Sequence, residues 1–492
     1  MNTGDLTRRG SRPQRDAQDG SRGVAAARGV GRGRTTGEGG ESRRRKGPRL
    51  EDATPCGKGT GIVSALETPA RIRDLQRALY RRAKHDPHFR AYALYDKVYR
   101  TDILAHAYAL AQANGGAPGP DGVTFAELDH DGRDVLLKEL REELKTNTYR
   151  PGPVRRVYIP KLNGGERPLG IPNIRDRVVQ TAVKLVLEPL VEADFKPDSY
   201  GFRPRRAAHD ALDAIREALE AGMYWVIDAD IRAYFDTIPH DRLMKAVAQR
   251  VVDGAMLALV KRFLDAPIID ERDGGRPRRP TQGTPQGGVI SPLLSNVYLH
   301  LLDRNFCRRM RRGELEGRLV RYADDFVLLA PRRPDRALAW LHAVMTKLGL
   351  ALHPEKTRVL DARREAFAFL GHTHRWRFNR LYLDIAPKAM RRIREELRQK
   401  TRRTWVTRDA MIADLNPYIR GARQYFRRVR RRTLGKLDHF VDQRLARWWA
   451  RKHGARRPTW SLMSRDALRR QHGLERWNLP VALRPADARF AR

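Results

Sequence analysis

The chain has 492 residues, a formal charge of +40 from 98 Lys and Arg against 58 Asp and Glu, and only two cysteines, Cys56 and Cys307. That length suits about two to four domains. Hydrophobic content of 41% excludes a wholly disordered chain, two distant cysteines exclude a disulfide framework or a cysteine zinc site, and the lack of any apolar run of about 18 residues excludes an integral membrane protein.

The positive excess calls for a polyanion. A nucleic-acid phosphate backbone fits best, with an anionic membrane surface as the competitor. Residues 1–50 hold 13 Lys and Arg, five acids and eleven Gly. They have no apolar core for a secretory signal, and Asp5, Asp16, Asp19, Glu38 and Glu41 argue against a transit peptide. Residues 1–60 therefore read as a disordered basic tail.

Residues 61–150 read as mostly helical. Leu75, Leu79, Leu94 and Leu104 sit among charges over 66–112, and "NGGAPGPDG" (114–122) is a loop by composition. "VRRVYIPKLNGGERPLGIP" (154–172) places two β-rich runs around Asn163-Gly164, which predicts a hairpin with a tight turn. Arg155, Arg156, Lys161 and Arg167 make it basic, a shape suited to closing over a triphosphate, although strand cations are ordinarily only a solvated face.

"YWVIDADIRAYFDTIPH" (224–240) begins as an apolar strand and reaches Asp228, Asp230 and Asp236. "TQGTPQGGVISPLLSNVYLHLLD" (281–303) is a Gly/Pro loop that becomes a helix, because Leu294, Val297, Tyr298 and Leu301 recur at helical spacing. "RLVRYADDFVLLA" (318–330) reads as strand, Asp324-Asp325 turn, strand. Two adjacent carboxylates repel each other. With Asp230 at a neighbouring strand end, three carboxylates would meet at one sheet edge, an arrangement untenable without a cation. Two Mg²⁺ ions resolve it and are the usual solution for phosphoryl transfer at a nucleotide.

Residues 388–492 carry 30 Lys and Arg against nine acids. Tyr418, Ala422, Tyr425, Phe426 and Val429 form one apolar helical stripe, with Pro417 at the helix start. Leu437, Phe440, Val441, Leu445, Trp448 and Trp449 form a second. Their core spacing favours bundle packing over base stacking, which leaves the arginines of the opposite faces for RNA.

These blocks resemble, in order from about residue 66 to 455, the group II intron-encoded reverse transcriptase/maturases. "YADD" (322–325), "DIRAYFD" (230–236), "TPQGGVISPLL" (284–294), "NGGAPGPDGVT", "YIPKLNGGERPLGIPNIRDRVVQ", "YGFRPRRAAHDAL" and "LNPYIRGARQYF" (415–426) carry the resemblance. It implies an α+β right-hand polymerase: an antiparallel palm sheet with helices, and a helical thumb. The expected domains are an N-terminal extension at 61–150, fingers and palm at 151–380, and a thumb/maturase domain at 381–460. A short basic tail would follow at 461–492 with no endonuclease, so that a pre-existing 3′ end would serve as primer.

The resemblance also assigns roles. Asp230, Asp324 and Asp325 would be catalytic and, with the carbonyl of Ile231, would hold two Mg²⁺ ions, Mn²⁺ being a substitute. Asp236 supports, and Asp228 is structural. Lys161 and Arg167 would grip the triphosphate, and Gln286 would sit near the incoming nucleotide and template. Phe235 falls at the steric gate against the ribose 2′-hydroxyl, unless it is only a core residue. Lys356 would protonate pyrophosphate, unless it is a solvated strand-edge lysine. "FLGH" (369–372) would form the primer grip, with His372 and His374 a solvated pair. Arg427, Arg428, Arg430, Arg431 and Arg432 would face RNA. Partners would be group II intron RNA, a DNA primer or target and dNTPs, with no membrane, and a homodimer is left open. The place would be the bacterial cytoplasm or nucleoid, an organelle being the alternative. Rival readings are a domesticated reverse transcriptase (diversity-generating, retron-type or phage-defence) and a non-catalytic RNA-binding splicing factor.

Overall fold

The computed structural model describes residues 66–128, 130–160, 165–454, 468–469 and 471–478. The expected tail at 1–60, Lys161 and the hairpin turn at 161–164 lie outside the described residues. Among the described residues, no helix is long and apolar enough to cross a membrane.

The stretch expected to be helical over 66–112 is three helices, Ala70–His85, Tyr95–Val98 and Thr101–Asn114. Pro87 supplies no N–H to continue the first. Arg250 takes the carbonyls of Asp86 and Phe89, and the Asp253 carboxylate accepts the amides of Leu94 and Tyr95 at 2.7 and 2.8 Å. The loop after the third helix is held by arginines. Arg177, buried in the helix Ile174–Glu192, donates to the carbonyls of Gly115 and Ala117, and Arg155 to that of Pro118.

β1 (Val154–Pro160) and β2 (Glu166–Ile171) pair antiparallel as the basic hairpin, with Pro160 opposite Glu166, and β4 (Ile268–Asp270) adds to β1 in parallel. The central sheet has the order β5 (Arg318–Tyr322), β6 (Asp325–Ala330), β3 (Trp225–Ala229), β7 (Arg358–Asp361), antiparallel throughout. Its side chains alternate between two buried faces, as strand period 2 demands. Ile227, Leu319, Phe326 and Leu328 enter the large core with Leu294, Tyr298 and Leu302 of the helix Ser291–Arg311. Val226, Val320, Val327 and Leu329 pack on Ala211 and Ile215 of the helix Ala208–Glu220.

A third sheet, β8 (Phe367–Phe369), β9 (His372–Arg377) and β10 (Arg380–Ile385), leads to helices Pro387–Lys400, Arg408–Tyr425 and Arg431–Lys452. These bury Leu397, Leu415, Ile419, Leu437, Leu445 and Trp448 in a core of their own. Together the elements make the α+β right-hand arrangement of fingers, palm and thumb. Two expectations change here. Pro417 lies inside the helix Arg408–Tyr425 rather than at its start, because that helix begins at the Thr407 cap, whose side chain accepts from Ala410 N. His372 and His374 are fully buried, not solvated, since β9 turns both inward.

The thumb root is tied to the palm. Arg428 binds Asp213 and the carbonyl of His209, and Tyr425 Oη donates to Leu370 O at 2.8 Å, while Arg430 pairs with Asp384 within the thumb itself.

Candidate active site

β5 and β6 are joined across Tyr322 and Asp325, which face each other in register, so the connection is only Ala323 and Asp324. Ala323 has φ 59°, the left-handed value that a II′ hairpin turn requires at this position, where Gly is usual. Asp324 therefore rides on the turn and Asp325 opens β6. In β3 the last paired residues are Ala229 and Phe326. One step further in that register brings Asp230 opposite Asp325. The backbone of Asp230 is fixed by His353, whose N–H donates to its carbonyl at 2.8 Å.

The electrostatics reflect this crowding. Asp325 is reached by solvent but walled by protein, the situation of a carboxyl in a cleft. That desolvation, then the charges of Asp324, Asp230 and Asp228, push it up to about 7, with Arg167 opposing. Asp324 is also raised, first by burial, with Arg167 drawing it down and Asp230 adding to the rise. Asp228 is raised by burial and held by Arg358 at 3.4 Å, in keeping with a structural place. Lys356 Nζ lies 2.6 Å from Asp230 Oδ2.

Among the described residues, no three acid, imidazole or thiol side chains are already arranged as a metal cage. The donors nonetheless fit a divalent cation: hard carboxylates that repel one another, with a Lys ammonium at one of them. The bridge between Ile231 and Leu352 uses the carbonyl of Asp230 and the amide of Arg232, so Ile231 spends neither of its own backbone groups on residues 351–353.

Arg167 stands on β2 opposite Ile159, exposed and near enough to act on both Asp324 and Asp325. Gln286 is half-buried, and its carbonyl accepts from Gly170 N, which pins its loop on the basic hairpin. An added Cβ on Gly287 would lie 2.5 Å from Gly170 O, so only glycine allows that approach. Phe235 is half-buried beside Tyr234, ring centroids 5.4 Å apart, and its carbonyl accepts from Thr284 N at 2.7 Å. The five thumb arginines are not one surface. Arg431 and Arg432 are exposed, whereas Arg428 and Arg430 are spent on Asp213 and Asp384 at the thumb root, and Arg427 is half-buried.

Reading the residues alone misses the support beneath the turn. Arg321 and Gly201 meet the backbone of Ala323 directly, and Asn296 and Asp303 hold Arg321 in place. The sequence does carry a signal for it: one arginine inside an apolar strand, and an Asn and an Asp seven apart on one face of an apolar helix.

Compared with known proteins, residues 159–374 match the model described as reverse transcriptase (RNA-dependent DNA polymerase), and residues 390–466 match the group II intron, maturase-specific domain. The chain is 37% identical over 338 residues to protein YkfC of Escherichia coli K12, covering 61% of this chain and 87% of that protein. It is 38% identical over 212 residues to the group II intron-encoded protein LtrA of Lactococcus lactis subsp. cremoris, covering 43% of this chain and 34% of LtrA. An uncharacterized 91 kDa protein in the cob intron of Schizosaccharomyces pombe is 30% identical over 331 residues, covering 56% of this chain and 40% of that one.

Proposed function

The chain belongs to the group II intron-encoded reverse transcriptases and maturases and is an RNA-directed DNA polymerase; from that premise we propose that it copies intron RNA from a DNA primer and holds the same RNA folded for splicing. One observation carries the polymerase half. Asp230, Asp324 and Asp325 meet at the open end of β3 and β6, where the register sets Asp230 opposite Asp325, and burial, then the neighbouring acids, push Asp325 up to about 7.

Two Mg²⁺ ions, or Mn²⁺ in their place, held by these three carboxylates and the Ile231 carbonyl, would neutralise the phosphate charge that develops during nucleotidyl transfer. The rest is the work of side chains. Arg167, with Lys161, draws the triphosphate toward the acids. Gln286 lines the nucleotide side of the cleft from a loop fastened to the same hairpin. Phe235 closes the space beside the ribose. Lys356 moves from Asp230 to the leaving pyrophosphate and supplies its proton.

The maturase half rests on the basic C-terminal segment, residues 388–492. Residues 61–150 act as the N-terminal extension, 151–380 as fingers and palm, and 381–460 as the thumb that grips RNA. The setting is the bacterial cytoplasm, where intron RNA and chromosome meet.

A side-by-side assay tests both halves with the Asp324→Ala/Asp325→Ala protein. Primer extension on an RNA template should be lost, while splicing of bound intron RNA at low Mg²⁺ should persist. Extension near the wild-type rate overturns the polymerase site. Failure to splice with normal RNA binding overturns the maturase reading.

A further inference from the structure

We propose that Arg321 is a positioning residue for nucleotide addition: held inside the palm by Asp303 and Asn296, it grips the Ala323 carbonyl and so fixes the strained turn that presents Asp324 and Asp325. The proposal rests on the reading of those two acids as the catalytic pair.

Arg321 is fully buried in β5. Its Nε lies 3.0 and 3.1 Å from the two oxygens of Asp303, and its Nη2 lies 2.6 Å from Asp303 Oδ2. Its Nη1 donates to Asn296 Oδ1 and to Ala323 O, both at 2.9 Å. An ion pair that served only the core would need Asp303 alone. Here one nitrogen is aimed at the backbone two residues ahead, inside the turn itself.

The turn needs that hold. Ala323 keeps a left-handed φ of 59° that a side chain disfavours, and such a conformation persists only when its surroundings over-determine it. The second support is Gly201. A Cβ there would lie 2.3 Å from Ala323 N, so the backbone at 201 lies flush against the turn. Asn296 joins the two supports, its Nδ2 donating to Gly201 O at 2.8 Å while its Oδ1 accepts from Arg321. The backbone of Arg321 is fixed as well: its N–H donates to Asp198 O and its carbonyl accepts from Tyr200 N, at 2.9 and 2.8 Å. Two distant segments, 198–201 and 296–303, thus converge on the two-residue connection within 321–325.

Arg321 touches no substrate in this arrangement. Its effect is on where two carboxylates stand, and small misplacements of reacting groups cost about a hundredfold in rate. The defect should therefore appear in kcat and in the divalent-ion requirement, and should spare primer–template affinity.

The test uses the full chain in single-nucleotide addition on an RNA template with a DNA primer, titrating Mg²⁺. Arg321→Lys keeps the buried charge pair, but its ammonium cannot serve Asp303 and the carbonyl together. Arg321→Met/Asp303→Leu removes both charges, so neither is stranded in the core. Each variant that folds, by its melting temperature, should lose about tenfold to a hundredfold in kcat and need more Mg²⁺ for half-maximal rate, with unchanged primer–template Kd. Adding Ala323→Gly to the double variant should restore part of kcat, because glycine adopts the turn without being forced. Wild-type kcat at the wild-type Mg²⁺ requirement in either folded variant overturns the proposal. Asp324→Ala run alongside separates the two readings. If it still extends primers, the catalytic assignment fails. If it is inactive while the Arg321 variants behave as wild type, only the positioning role fails.

Discussion

Lys356 Nζ and Asp230 Oδ2 stand 2.6 Å apart, a contact across the mouth of the acidic cleft. The lysine is more than half exposed, so the pair adds little to stability, and its consequence is chemical. Lys356→Ala should melt within a degree or two of wild type yet lower the rate of nucleotide addition by about a hundredfold, the usual scale for a lost general acid. Lys356→Arg should not restore the rate, since a guanidinium does not give up its proton. Rapid-quench kinetics checks both, and an unchanged rate in Lys356→Ala would leave the lysine as a counter-charge only.

Phe235 follows the turn at Arg232-Ala233, and its neighbour Tyr234 is locked by a 2.8 Å hydrogen bond from its hydroxyl to Ser295 O. The Phe ring packs against the large core yet is only half-buried. Replacement by Ala or Val should raise ribonucleotide incorporation by about tenfold or more, as expected when a steric block is removed. The competition is read by extending one primer with each nucleotide type. Equal rejection of ribonucleotides by the variant would return Phe235 to the core.

His372 and His374 give the protein an acid limit. Burial, followed for His374 by the charges of His372 and Arg216, holds these imidazoles down to about 4 and about 3. In the unfolded chain a histidine takes its proton near pH 6.5, so between that value and pH 4 the unfolded state binds protons that the folded state refuses. Their stability contribution is complete above pH 6.5 and declines as pH falls; at pH 5 each costs about 2 kcal/mol. Among the described residues, neither ring nitrogen of His374 has a hydrogen-bond partner, and the ring stacks on Phe367 at 4.8 Å. His374→Phe should therefore melt above wild type at pH 5, with the gap closing by pH 8. A pH-independent gap would refute the linkage.

Arg431 and Arg432 open the helix Arg431–Lys452, where the backbone dipole already presents positive charge and no acid stands in the first turn. Cations at that end cost about 0.3 to 1 kcal/mol rather than stabilise. Arg431→Ala/Arg432→Ala should melt at or slightly above the wild-type temperature while binding RNA more weakly. The slope of log affinity against log salt should become shallower by about one unit for each phosphate that the variant no longer neutralises. Undiminished RNA affinity would remove this corner of the thumb from the interface. Arg428 and Arg430 call for separate treatment, because replacing Arg428 also loosens the thumb from the palm and replacing Arg430 frees Asp384 inside the thumb.

The elements that carry chemistry are legible because they are local. The Tyr322–Asp325 block between two apolar runs, the pairing of the β-rich runs at 154–160 and 166–171, and the helical spacing of Leu294, Val297 and Tyr298 all announce themselves within a few residues. What stays hidden depends on tertiary partners. His374 looks polar in sequence, and only the inward turn of β9 against Phe367 buries it. Arg428 and Arg430 look like their neighbours in an Arg-rich run, yet Asp213 and Asp384, far away in sequence, claim them. Arg321 reads as one more cation until the helix Ser291–Arg311 brings Asp303 beneath it.

The tether at the thumb root bears on how product leaves. With Arg428 bound to Asp213 and to the carbonyl of His209, and Tyr425 to Leu370 O, an outward swing of the thumb would break an ion pair and two hydrogen bonds to the palm together. A thumb so fastened favours a cleft of constant width, through which a duplex would move by sliding.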